Sequence, residues 1–298
     1  MQFSVITLFP DLIRDVTKVG VVGQAVVDGK INVEVMTPRA WTTDLHKTVD
    51  DRPFGGGDGM VLMAEPLSMC LESILDSSLN LEEESSRENQ LTPLIEQVTK
   101  SKPRMIFLSP QGRKLDHNFV MELAKEKHLL LLCGRYAGVD QRLIKHYGFE
   151  EVSIGDYVLS GGELGALVMI DAIGRQLEGV LGHESSSRED SFAKDGLLEA
   201  PCFTRPRVWK DWDVPDLLLS GNHKQIEEDR WMLSVLITFK KRTDLFQHYI
   251  SNQSVKRKSW LKGLERMNVL SDRDLAAFGL EQQTLEDFKI ELLHLKVI

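Results

Sequence analysis

Two residues in the middle of the chain have side chains suited to moving a proton and holding a charge. Arg175 ends a long apolar stretch, and Asp190 lies in the Ser-rich segment that follows. A carboxylate can act as a general base, and a guanidinium can stabilise an oxyanion as it forms. Each also has a plainer reading: a solvated aspartate, and a cation favoured by the C-terminal end of a helix. His183 and Glu184 lie in HESSS, which lacks the HExxH spacing of a zinc site, so capping or hydrogen bonding suits them better. Cys70, Cys133 and Cys202 form no CxxC pair, so they suggest reduced thiols rather than a zinc site or a disulfide framework.

Four loops carry the small residues that let a ligand approach the backbone. DDRPFGGGDGM at 50–60 has four glycines but no following GK[ST], so it is not a phosphate-cradling loop. A turn needing positive φ and a role in substrate binding both remain open for it. SPQGRKLD (109–116), CGRYAGVD (133–140) and IGDYVLSGGEL (154–164) each follow an apolar strand pattern. An open α/β sheet binds its ligand outside the carboxyl ends of its strands. Three such loops at one sheet edge point to a nucleotide-like cofactor, although no GxGxxG follows the first strand.

The elements that must position these loops alternate. Strands are expected at 2–8, 31–37, 104–108, HLLLLC and EEVSI. Helices are expected after an Asp11 N-cap, over GQAVVDG, 65–75, 116–127 and DQRLIKHYG, and along GELGALVMIDAIGRQLEG with Arg175 in its last turns. Uniformly apolar strands between helices predict an α/β fold with a parallel sheet covered on both faces. Residues 76–103 are acidic and Ser-rich, and read as a surface insertion. The expected domains are 1–180, a flexible linker at 181–197, and a small all-α domain at 198–298 with helices at 223–248, 255–266, 271–279 and 282–295.

A formal net charge of −9 argues against nucleic acid. Local charge argues the other way. TRPRVWK at 204–210, KKR at 240–242 and KRK at 256–258 are interleaved with Trp209, Trp212, Trp231 and Trp260. That mixture suits a phosphate backbone and unstacked bases, or equally a solvated helix face over buried tryptophans. No stretch reaches the ~18 apolar residues of a membrane span, and no signal peptide is evident, so the expected location is cytoplasmic.

MQFSVITLFPDL, TVDDRPFGGGDGM, FLSPQGRKLD, CGRYAGVDQR, SIGDYVLSGGEL, GVLGHESSSREDSF and LLLSGNH together resemble the bacterial tRNA (guanine-N1)-methyltransferases, the TrmD family of the SPOUT superfamily. The motifs run in the family's order from residue 1 to about 250. The resemblance implies a parallel sheet with a deep trefoil knot, a homodimer with active sites at the subunit interface, and methylation of the tRNA guanine at position 37 by S-adenosyl-L-methionine. The donor would be bound by Phe107, Leu108, Ser109, Pro110, Gly134, Tyr136, Ile154, Gly155, Tyr157, Leu159, Gly161 and Gly162. Asp190 would be the general base and Arg175 would stabilise charge on guanine O6. Asp50, Arg52, Gly57, Gly59 and Ser191 would hold the base.

The chain departs from the family in places. Ala137 stands where the family's GRYEG loop has an acid tied to its Mg2+ requirement, so that requirement does not carry over directly. Glu227, Glu228 and Asp229 replace the arginines and tryptophan that the family often has after GNH, and Glu199 replaces an aspartate. A non-catalytic RNA-binding protein, and a methyltransferase acting on ribosomal RNA or a ribose hydroxyl, are the alternatives. Retention of both Asp190 and Arg175 disfavours the first.

Overall fold

The computed structural model describes residues 1–84, 102–182, 190–193, 195–252 and 257–297. They fall into two compact units, Met1–Glu184 and Ser185–Ile298.

The first unit is a five-stranded parallel sheet in the order β2-β1-β6-β5-β7. Its strands are β1 (Gln2–Ile6), β2 (Asn32–Met36), β5 (Arg104–Lys114), β6 (His128–Cys133) and β7 (Glu150–Ser153), with β3 (Asp50–Asp51) and β4 (Val61–Leu62) forming a separate antiparallel pair. β6 lies between β1 and β5, and every one of its residues is buried. Side chains alternate across this central strand. Leu129, Leu131 and Cys133 join the apolar cluster formed with α1 (Pro10–Val16), α2 (Gly20–Val27), α4 (His117–Leu123) and α6 (Glu163–Gly174). Leu130 and Leu132 face the other way, onto α3 (Ala64–Glu84) and α5 (Gln141–Tyr147). Both faces of the sheet are therefore covered, as the apolar strands predicted.

Local signals set several boundaries. Asp116 and Asp140 cap α4 and α5 by accepting bonds from Phe119 N (2.8 Å) and Arg142 N (2.9 Å). Other boundaries differ from expectation. Pro10 takes the first position of α1 and Phe9 the N-cap, so Asp11 sits in the first turn instead of capping. α3 extends beyond the expected 75, to Glu84, because nothing in its sequence stops it; residues 85–101 of the expected insertion lie outside the described residues. α6 ends at Gly174, which places Arg175 at its C-cap rather than in its last turns.

The largest revision concerns 109–116. β5 does not stop at Leu108. Ile106–Leu108 pair with Glu150–Val152, the register then shifts, and Arg113–Lys114 pair with Val152–Ser153. The chain passes so close at Gly112 that a Cβ there would lie 2.2 Å from the carbonyl carbon of Glu151. Only glycine fits.

The second unit is helical: α7 (His223–Lys241), α8 (Thr243–Asn252), α9 (Arg257–Asn268), α10 (Asp272–Ala277) and α11 (Gln282–His294). The expected helix over 223–248 is broken at Arg242, whose φ of −141° leaves the helical region. The unit is not purely helical, because β8 (Val208–Trp209) pairs with β9 (Trp212–Asp213). The tryptophans divide accordingly. Trp260 is fully buried in the core and Trp231 packs against it, whereas Trp209 and Trp212 are exposed on the hairpin. Acidic residues of α7 pair with the basic face of α9: Glu228 with Lys262 at 2.6 Å, and Asp229 with Arg266.

Candidate active site

The irregular segment of β5 after Leu108 and the glycine-containing loops that follow β6 and β7 line a cavity of about 300 Å³. That is the lower end of the range for small-molecule sites. Every residue assigned to the methyl donor from the sequence lines it. So does Ala137, noted above as a departure, and so do Gln111, Arg135, Gln141, Glu151 and Val158, which were not expected from the sequence although most of them lie within or beside the same motifs.

Small residues bring the loops together. Gly162 N donates to Gly134 O at 2.9 Å, and a Cβ on Gly162 would come within 2.8 Å of Cys133 Cα. Gly134 leaves room for the Phe107 ring, which would stand 3.0 Å from any added Cβ. Tyr136 adopts φ 58°, a strained conformation for a residue with a side chain, and presents a half-exposed ring at the cavity. Tyr157 turns back so that its hydroxyl donates to Ile154 O at 3.2 Å. Apolar walls, aromatic rings and turned backbone form a surface suited to a purine and its polar attachments. Cys133 lies beneath as a core residue. Burial, and then Glu163, push its thiol far above the ordinary range, so it is no nucleophile.

The loop at 52–60 meets this cavity through its second strand. Leu62 N donates to Gly138 O (3.0 Å), Asp140 N to Leu62 O (3.0 Å), and Ala137 N to Met60 O (2.9 Å). Asp50 sits on β3, Arg52 is exposed, and Gly57 and Gly59 have φ of 110° and 99°. A Cβ on Gly59 would touch Ala137 at 3.9 Å, so this end of the loop lies beside the cavity rim. Phe54, 99% exposed among these glycines, had no signal in the sequence beyond its neighbours.

Arg175 and Asp190 belong to different units, and Arg175 does not line this cavity. Asp190 begins a turn in the second unit: Ala193 N donates to Asp190 O, Phe192 N to Leu197 O (2.7 Å), and Glu199 N to Ser191 Oγ (3.0 Å). Leu197 is buried in the helical core. Residues 190–193 and 195–197 of the expected linker thus fold with the second unit, whereas 181–182 belong to the first. Asp190 there lines a cavity with His223, Glu227, Arg230 and Trp231, while His183 and Glu184 lie outside the described residues.

A parallel α/β sheet with glycine-containing segments meeting around one cavity at its strand ends is the arrangement in which α/β proteins bind nucleotide-like ligands. Residues 1–248 match the family described as tRNA (Guanine-1)-methyltransferase TrmD, and the chain belongs to that family. Relatives named tRNA (guanine-N(1)-)-methyltransferase include one from Pectobacterium atrosepticum, 46% identical over 83% of this chain and 90% of its own length. One from Pseudomonas putida is 47% identical over the same shares, and one from Vibrio atlanticus is 45% identical over 83% and 92%. Residues 249–298, beyond the family match, supply Trp260, Phe278 and Phe288 to the second core.

Proposed function

We propose that the protein transfers a methyl group from S-adenosylmethionine to N1 of the guanine at position 37 of tRNA, next to the anticodon. The convergence of glycine-containing segments of a TrmD-family chain on one cavity carries this reading. The cavity fits the donor: Phe107 and Leu108 offer apolar contact to an adenine, and the turned backbone at 134–138 and 154–162 offers N–H and C=O groups to its edges. The donor, when bound, supplies an electrophilic methyl on a sulfonium.

The chain's own groups do the rest. Guanine N1 is protonated at neutral pH, and the Asp190 carboxylate accepts that proton. Negative charge then builds on O6, and the Arg175 guanidinium stabilises it. Asp50, Arg52, Gly57, Gly59 and Ser191 hold the base, which must leave the anticodon loop to reach the site. Ala137 offers no ligand for magnesium, and no three His, Cys, Asp or Glu side chains cluster to hold a metal among the described residues.

Several finer points belong to the same reading. The passage of 109–112 across Glu151–Val152 is part of a trefoil knot. Residues 198–298 form the tRNA-binding domain, joined to the knotted domain 1–180 by 181–197. The exposed Trp209 and Trp212, with Lys210 4.6 Å over the Trp209 ring, offer it a stacking surface. Phe9, Leu12, Val16, Leu164 and Val168 are exposed on and beside the packed helices α1 and α6, an apolar face that a second copy covers in a homodimer. No helix of the described residues is long and apolar enough to cross a membrane, and the work is placed in the cytoplasm, where tRNA and the donor meet.

Incubation with labelled S-adenosylmethionine and tRNA transcripts, followed by nucleoside analysis, tests the proposal. 1-Methylguanosine is expected, and it disappears when guanine 37 is replaced. A ribose-methylated product, or label left wholly on the donor, overturns it.

A further inference from the structure

Beside the cavity lies a carboxylate that does not line it. Glu163 opens α6 and is 1% exposed. Its Oε1 accepts a 2.7 Å hydrogen bond from the Thr7 hydroxyl just beyond β1. Its Oε2 faces Arg135 Nε at 2.9 Å as an ion pair, and neither of these two buried atoms makes a hydrogen bond. A buried ion pair of this kind is costly to build and contributes little net stability compared with apolar packing, so its presence calls for another reason.

Arg135 gives one. It belongs to the 134–140 loop and lines the cavity. Its Nη1 donates to Ser160 O at 3.2 Å, its backbone bridges Gly161, and its guanidinium lies 4.3 Å from the centre of the Phe9 ring. A Cβ on Gly161 would fall 2.2 Å from Arg135 Nε and 2.5 Å from Glu163 Oε2, so the glycine is what makes space for the pair. One carboxylate thereby ties together the end of β1, the loop after β6 and the loop after β7.

We propose that Glu163 is a positioning residue for the methyl donor: through Arg135 it locks the 134–140 loop against the 154–162 loop and fixes the shape of the cavity. This deepens the reading of that cavity as the S-adenosylmethionine site and rests on it. Glu163 acts before the chemistry, on binding, and leaves the reacting atoms alone.

The test uses the full chain as Glu163→Gln, Arg135→Gln and the double variant. S-Adenosylmethionine binding is measured by calorimetry, and steady-state methylation is measured with tRNA. Each single variant is expected to raise the donor Kd and KM by about tenfold, with kcat at saturating donor within about twofold of the parent and the KM for tRNA unchanged. The double variant should be no worse than either single, because the two residues act as one unit. Donor affinity equal to the parent's in the singles, losses that multiply in the double, or a fall confined to kcat would each overturn the proposal. If Glu163→Gln fails to fold, the double variant, which strands neither charge, carries the test, and unchanged donor affinity in it is decisive against the proposal. Failure of the parent protein itself to bind the donor would instead remove the cavity reading, and this inference with it.

Discussion

His128 begins the central strand with its ring buried and its Nε2 2.9 Å from the Ser4 hydroxyl on β1. Burial pushes its pKa down to about 4 from an ordinary 6.5. The unfolded chain therefore takes up a proton that the folded chain refuses between these values, and stability falls as pH drops from 6.5 towards 4. The loss from this one group is on the order of 3 kcal/mol. Asp229, in the other unit, acts oppositely: burial, opposed by Arg266, raises its carboxyl to about 6 from 3.8, so its share of stability grows as pH falls through the same range. Denaturant unfolding of His128→Asn beside the parent at several pH values isolates the histidine. The variant should show the smaller acid loss, and parallel pH profiles would count against the assignment.

At the scale of elements, close backbone passage decides more than propensity does. Gly112→Ala should cost more than about 2 kcal/mol, because its new Cβ would meet backbone that cannot swing aside. Gly182→Ala, where nothing lies within 4 Å, should leave the unfolding midpoint unchanged. Equal effects in the two variants would contradict the crowding at 109–112. The same region shows what the sequence could and could not convey. The one expected cap, Asp11, lies inside α1, and the caps formed by Asp116 and Asp140 were not foreseen. HLLLLC and the helices over 116–127 and DQRLIKHYG were legible because hydrophobic patterns are local. The pairing of Arg113–Lys114 with β7 was not, because SPQGRK reads as a turn until its partner strand is known. The break at Arg242 and the exposed Trp209–Trp212 hairpin were hidden for a like reason: basic and aromatic residues serve helix and hairpin alike. The grouping of residues around one cavity was legible through the motifs. The part played by Glu163 was not, since it depends on Thr7, far away in the chain.

At the scale of the whole molecule, the proposed homodimer would cover an apolar face that one chain leaves open. Leu164 and Val168 present about half of their surface to solvent on α6. If the proposed homodimer shares its active sites between subunits, replacing either with Asp should shift the protein from dimer to monomer in sedimentation equilibrium and abolish methylation; an active monomer would contradict the proposed assembly. The proposed general base, Asp190, lies in the second unit. The most direct measurement is single-turnover methylation by Asp190→Asn alongside equilibrium binding of S-adenosylmethionine. The account predicts donor affinity like the parent's and turnover lower by at least about 100-fold; near-parental turnover would contradict it.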